Sequence, residues 1–269
     1  MSYINNFDIT EDDLLTSDKF LNLINESPKI DYIKSDFFHI GQFNWRGRQH
    51  PFKPLGNDIL ITGHADYPIN KDIHEIVRKF YKKWFAINIE VESSDLISIP
   101  LGLTNNTNET HLHPIYGNPQ HILHVRSLPL SKENLCYMNF GVNTYPQERT
   151  SVYNTFKNCS WVFNRTAENT NEGRIQYLTD IAKSKFVLCP RGNGIDTHRL
   201  WETLYVRSIP IVKRHITHKG MEDLPILFID DWSEVTPEFL EKKYTEMTSR
   251  VWNFNKLKFS WWRSLIIAS

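Results

Sequence analysis

The chain has 269 residues, room for one large domain or two small ones at about 100–200 residues each. Hydrophobic residues make up 40% and charged residues 23%, a globular composition that excludes a disordered chain. Lys plus Arg and Asp plus Glu are 31 each, and this balance disfavours a nucleic-acid partner, whose binders are usually basic.

No apolar run approaches the roughly 20 residues of a membrane helix. The tail Leu265-Ile266-Ile267-Ala268 is far shorter, and Met1–Asn6 lacks the basic flank and apolar run of a signal peptide. The cysteines are Cys136, Cys159 and Cys189; a sparse, odd set fits a reducing compartment better than a disulfide framework. These features predict a soluble, cytoplasmic protein without a membrane span.

In chain order, Glu11, Asp12 and Asp13 open a helical pattern carried by Leu14, Leu15, Phe20, Leu21 and Ile24. A turn-rich stretch from Phe43 to Asn57 follows. Asp58–Thr62 reads as a buried strand stopped by Gly63. Helical spacing resumes over Ile73, Ile76, Val77, Phe80 and Trp84, and Phe85–Asn88 and Leu96–Pro100 read as strands. Thr104–His124 is polar and carries His111, His113, His121 and His124. It reads as a long loop for an acceptor or for structure rather than as a metal site, since no cysteine pair accompanies it.

The second half alternates cleanly. Strands are predicted at Leu135–Phe140, Trp161–Phe163, Lys185–Cys189, Ile209–Val212 and Ile226–Ile229. Helices are predicted at Gln147–Phe156, Ile175–Ala182 and Thr197–Val206, with two more near Glu238–Arg250 and Leu257–Ile267. Alternation of this kind implies a parallel sheet covered by helices. Two α/β halves facing each other would place ligands at the carboxyl ends of their strands; a single doubly wound sheet with a long insertion is the other architecture the pattern allows.

Chemistry concentrates in Lys185–Leu204. A strand runs into a turn containing Pro190, Arg191, Gly192, Asn193 and Gly194, then into a helix that Asp196 or Thr197 can cap. Helix N-termini offer N–H groups and partial positive charge, glycines permit close approach, and Arg191 adds a fork for phosphate oxygens. A plain structural turn uses the same residues. Thr197 stands where a dinucleotide fingerprint needs its third glycine, which counts against a dehydrogenase. Ile195 stands where a phosphatase loop built on Cys189 needs arginine, leaving Cys189 as a buried strand cysteine.

The run Ser184-Lys185-Phe186-x-Leu188-Cys189-Pro190-Arg191-Gly192-x-Gly194-x-Asp196-x-His198-Arg199-x-Trp201-Glu202-x-Leu204-Tyr205, followed by Ile209–Val212, resembles the C-terminal motif of exostosin-like glycosyltransferases. It is most similar to the short soluble versions of large DNA viruses, of the chlorovirus xylosyltransferase type. Tyr137-x-Asn139-Phe140 and Pro146-x-Glu148-Arg149 resemble the opening strand and helix of the same donor domain. The good match covers roughly residues 135–230.

The resemblance implies an α/β fold of the GT-B type, two Rossmann-like domains across a cleft. Residues 1–130 would be the acceptor-binding domain and 131–250 the nucleotide-sugar domain, with 251–269 a closing helix packed back on the first. It implies an inverting transfer to a glycan hydroxyl, without a metal or other cofactor, from a UDP-sugar, xylose being the first choice. Viral glycan synthesis in the host cytoplasm would be the setting. Arg149 and Arg191 would face the diphosphate and Glu202 the ribose hydroxyls, with Gly192, Asn193, Gly194, Asp196, Thr197 and His198 completing the donor site. A general base is needed on the opposite domain. Gly63-His64-Ala65-Asp66 follows a strand there, giving Asp66 as first choice and His64 as second; alternatively Asp66 caps the next helix. A non-catalytic nucleotide- or glycan-binding module on the same fold is the competing function.

Overall fold

The computed structural model describes residues 7–34, 57–104, 117–166, 168 and 170–269. Two parallel sheets organise them, giving the mixed α/β architecture expected. The first holds β1 (Ile30–Lys34), β2 (Ile59–Gly63), β3 (Lys83–Ala86) and β4 (Leu96–Ser98) in that spatial order. In the second, β5 (Asn134–Met138), β6 (Val162–Asn164), β7 (Ser184–Leu188), β8 (Ile209–Lys213) and β9 (Leu227–Ile229) lie in the order β6-β5-β7-β8-β9.

The register aligns the carboxyl ends. Lys34 lies opposite Gly63, Thr62 opposite Ala86, and Ala86 opposite Ser98; Tyr137 lies opposite Val187, and Leu188 opposite Ile211. Both sheets are covered, so strands such as β2 are buried throughout, as parallel sheets require.

Helices connect the strands: α1 (Ser17–Asn22), α2 (Lys71–Val77), α3 (Pro119–Ser127), α4 (Pro146–Phe156), α5 (Asn171–Ala182), α6 (His198–Tyr205), α7 (Pro237–Ser249) and α8 (Phe259–Ile267). Local chemistry fixes their starts. Thr16, Asn70, Asn118, Thr170 and Thr236 each accept a bond from a first-turn N–H, the usual work of an N-cap. None of these helices is long and apolar enough to cross a membrane.

Several sequence expectations shift. The acidic run Glu11–Asp13 is a turn, and the helix starts only at Ser17. The helical pattern through Trp84 ends at Val77; Trp84 lies on β3, where its indole donates to Thr62 Oγ1 at 3.0 Å. Residues 30–34, unassigned from sequence, form an edge strand whose buried Asp31 accepts from Tyr81 at 2.8 Å and from Asn57. Residues 119–127 form α3 rather than loop, burying Ile122 and Val125.

One apolar core runs through both halves. It joins Leu14, Phe20, Ile61 and Phe85 to Val187, Leu200, Trp201 and Tyr205, and takes in Trp262 and Ile266 of α8. The chain end therefore returns to the beginning: Phe259 N–H donates to Asp13 O at 2.8 Å, and the Phe259 ring meets Phe20 edge-on at 5.5 Å.

Candidate active site between the sheets

The segment after β7 and the turn after β2 meet at the carboxyl ends of the two sheets. Gly194 is the point of contact. A Cβ there would lie 2.9 Å from Asn88 Nδ2, 3.1 Å from Asp66 Oδ1 and 3.3 Å from Asp196 O, so only glycine fits without displacement. Gly192 N–H donates to Gly194 O at 3.0 Å and closes the turn. Asp66 is exposed while Gly194 is buried. The carboxylate named from sequence as a base thus stands against the glycine turn named as a phosphate cradle. Asp66 does not cap α2; Asn70 does, accepting from Ile73 N–H at 3.0 Å.

Arg149 is 3% exposed, neither a surface helix arginine nor a cation open to solvent. From α4 it reaches beneath the turn, donating from Nε to Arg191 O at 2.7 Å, from Nη1 to Gly141 O at 2.9 Å and from Nη2 to Pro190 O at 3.4 Å. Its guanidinium shapes the turn. Arg191 is the outward cation. It stacks 4.3 Å over the Tyr145 ring and touches the carbonyls of Gly192 and Asn193. Asn193 is exposed beside it.

Asp196 is a buried junction. Its carboxylate accepts from Leu101 N–H at 2.9 Å, Thr197 N–H at 2.8 Å and the Trp201 indole at 2.8 Å, while its own N–H donates to Asn88 Oδ1 at 2.8 Å. Burial pushes its ionisation up to about 6. Thr197 is the N-cap of α6, and its side chain makes no capping bond. His198 Nδ1 lies 2.7 Å from Gly102 O; a carbonyl only accepts, so Nδ1 carries the hydrogen.

Glu202 follows one turn later and is wholly buried. Its oxygens accept from Gly117 N–H at 2.7 Å and Tyr177 O–H at 2.9 Å. Burial, opposed by the Arg199 charge, raises its ionisation to about 7. His198 and Glu202 do share a face, and that face meets segments of the first half. Burial raises the Cys189 thiol to about 12, which fits the inert cysteine expected there.

His64 sits at the carboxyl end of β2 in the left-handed region, φ +57°. Its ring touches Tyr32 Oη through Nδ1 and lies 2.8 Å from Asp18 Oδ1 through Nε2. Asn88, two residues past β3, has the same conformation at φ +53°. Such backbone is uncommon outside glycine and gathers at functional sites.

Sequence reasoning missed Asn88, Asp18 and Tyr32, and also His218. That ring is 5% exposed, 4.0 Å from Asp196, and neither nitrogen has a hydrogen-bond partner among the described residues. Burial holds it neutral, down to about 3. A polar residue closing an apolar strand was the available signal for Asn88. His121 pairs with Asn171 at 2.8 Å. His111, His113 and the Arg46–His50 cluster lie outside the described residues. Among the described residues no group of three or more His, Cys, Asp or Glu gathers as a metal site.

Residues 153–266 match the family model described as the RXYLT1 C-terminal domain. No curated protein matches the chain. A solved structure, the crystal structure of an alpha1,3-fucosyltransferase with GDP-fucose, is similar at 12% identity over 81% of this chain and 80% of that one, with a TM-score of 0.39; a likeness so low transfers no residue roles. The family match covers most of the second sheet together with α5 to α8, and it agrees with the resemblance read from the Lys185–Leu204 motif. Residues 153–266 are thus similar to that domain family.

Proposed function

We infer that the chain is an inverting, metal-independent glycosyltransferase that moves a sugar from a nucleotide diphosphate to a glycan hydroxyl. UDP is the proposed nucleotide, xylose the first sugar to try, and glycan assembly of a virus the proposed setting. One observation carries the reading: the glycine turn Cys189–Thr197 opens at the carboxyl ends of the second sheet and meets the Gly63–Asp66 turn of the first at Gly194. A donor held by one turn would present its sugar to an acceptor held by the other.

In that reading the diphosphate lies along Gly192–Gly194 and the start of α6. The Thr197 hydroxyl does not close that helix start, and Arg191 supplies a cation at the rim. Leaving-group charge is neutralised by fixed donors in place before the reaction. Arg149 acts from below by holding the Pro190 and Arg191 carbonyls in place. Glu202 is assigned to the ribose hydroxyls through the resemblance, and on that assignment it exchanges its bonds from Gly117 and Tyr177 for bonds from the nucleoside. The acceptor proton leaves toward the Gly63–Asp66 turn.

The test is a thermal-shift panel of nucleotide sugars followed by nucleotide release. A ligand bound at a hundred times its dissociation constant stabilises the native state by about 2.7 kcal/mol. One nucleotide is expected to shift the midpoint, and its sugar conjugate to be turned over. Binding without any release in the presence of glycan acceptors would mark the chain as a binding module instead.

A further inference from the structure

Proton removal has two claimants on the Gly63–Asp66 turn, and the geometry separates them. In a single displacement the acceptor oxygen attacks the anomeric carbon on the side away from the departing phosphate. Asp66 Oδ1 stands 3.1 Å from where a Gly194 Cβ would be. That is the diphosphate's side, where a carboxylate repels the leaving group. His64 faces elsewhere, toward β1 and α1.

Three side chains from three elements form one line there. Tyr32 comes from β1, two register steps short of the Lys34–Gly63 pair. Its hydroxyl reaches the strand end, so close that a Cβ on Gly63 would lie 2.6 Å from it. His64 follows Gly63, and Asp18 stands in the first turn of α1. A carboxylate accepts only, so His64 Nε2 carries the hydrogen and donates it to Asp18 at 2.8 Å. Nδ1 is then the acceptor, and Tyr32 O–H donates to it. The His64 side chain is 18% exposed and Asp18 43% exposed, so the line reaches solvent at its Asp18 end, with Tyr32 half-buried at the other.

We propose that Tyr32, His64 and Asp18 form the proton relay of the acceptor site, with His64 as the base and Asp18 as its positioning residue. The relay rests on the glycosyl-transfer reading above. The acceptor O–H bond breaks as its oxygen bonds to the anomeric carbon. The bond from that carbon to the phosphate oxygen breaks, leaving its electron pair on the diphosphate. The acceptor proton passes to Tyr32 Oη while the Tyr32 proton passes to His64 Nδ1. An imidazolium held by the Asp18 carboxylate results, and both protons are accounted for. Burial, aided by the Asp18 charge, pushes Tyr32 ionisation well up, so the phenol must receive a proton as it gives one.

The left-handed backbone of His64 supplies a clean variant. Glycine adopts that φ without strain, so His64→Gly keeps the fold while deleting the base. Nucleotide release from UDP-xylose, or from whichever sugar nucleotide the wild type turns over, is measured for wild type, His64→Gly and Tyr32→Phe. UDP binding is followed alongside by calorimetry. His64→Gly is expected to bind UDP as the wild type does, to lose about 10²–10⁴-fold in release, and to regain rate with added imidazole. A merely structural role would not be rescued in this way. Tyr32→Phe is expected to slow release with UDP binding intact. Unchanged release in His64→Gly, or a loss that imidazole does not restore, overturns the relay while the transferase reading stands. A wild type that releases nucleotide from no donor sinks that reading and the relay with it. Independently of activity, ¹⁵N spectra of the free protein at alkaline pH are expected to show His64 as the Nε2–H tautomer; an Nδ1–H tautomer overturns the proposal.

Discussion

Replacing Arg149 by alanine separates two roles that the sequence alone leaves merged. If Arg149 were an open cation at the diphosphate, removing it would leave the free protein within about 0.5 kcal/mol of the wild type, as for most surface changes. The structure demands more. Its guanidinium is 3% exposed and spends two short bonds, 2.7 and 2.9 Å, and one longer bond, 3.4 Å, on three backbone carbonyls. Bonds from a charged donor contribute roughly 1.5–3 kcal/mol each, and partial rehydration returns some of that. The expected loss is about 3 kcal/mol from a total of roughly 5–15 kcal/mol, so the variant still folds. For a chain this long the unfolding midpoint would fall by about 6–12 °C. Urea unfolding of the ligand-free protein measures this directly. Arg149→Lys keeps the charge but not the fork and is expected to recover little of the loss. An alanine variant as stable as the wild type without ligand would refute the turn-holding role.

Arg191→Ala is expected to leave the free protein's stability nearly unchanged and to weaken UDP binding by about 1.5–3 kcal/mol; unchanged calorimetric affinity removes Arg191 from the site. Asp66→Asn is expected to keep release within roughly tenfold of the wild type, because the proposed donor placement puts Asp66 on the leaving-group side, well short of the losses that follow removal of a base; a loss of a thousandfold at intact UDP affinity would return the base to Asp66. Glu202 supplies a pH signature. Burial raises its folded ionisation from the ordinary 4.5 to about 7, so the folded state holds the extra proton between those values. Its contribution to stability is fully present below pH 4.5 and lost as pH rises through 7. Asp196, raised to about 6, acts in the same sense over a lower window, while His218, lowered to about 3, opposes both. The difference in urea stability between wild type and Glu202→Gln isolates the Glu202 contribution. That difference is expected to fall by a few kcal/mol from pH 5 to pH 8; a flat difference contradicts a proton held on Glu202.

The second half was legible because most of its strands are largely buried apolar runs and its helices carry spaced apolar residues. The glycine turn stood out for the same reason, as a break between two such runs. Elsewhere long-range partners hid the pattern. Asp31 interrupts an edge strand, and it is tolerated because Tyr81 and Asn57, distant in sequence, donate to it. Helix α3 reads as polar loop until Ile122 and Val125 are seen to face the core, although Asn118-Pro119 is a complete start signal. Arg149 was expected to face the diphosphate, and spacing along α4 does not reveal that its guanidinium bonds the Gly141, Pro190 and Arg191 carbonyls. Tyr32 and Asp18 had no local signal at all. Only strand register and the docking of α1 bring them to His64, and neither is written in a single segment.

We propose that the turn from Cys189 to Thr197 holds a diphosphate between the sheets. A crystal structure of the chain with UDP tests it most directly. The pyrophosphate is expected against Gly192–Gly194 and the start of α6, with Arg191 turned onto it. UDP bound elsewhere, or this turn left vacant at saturating nucleotide, would contradict it.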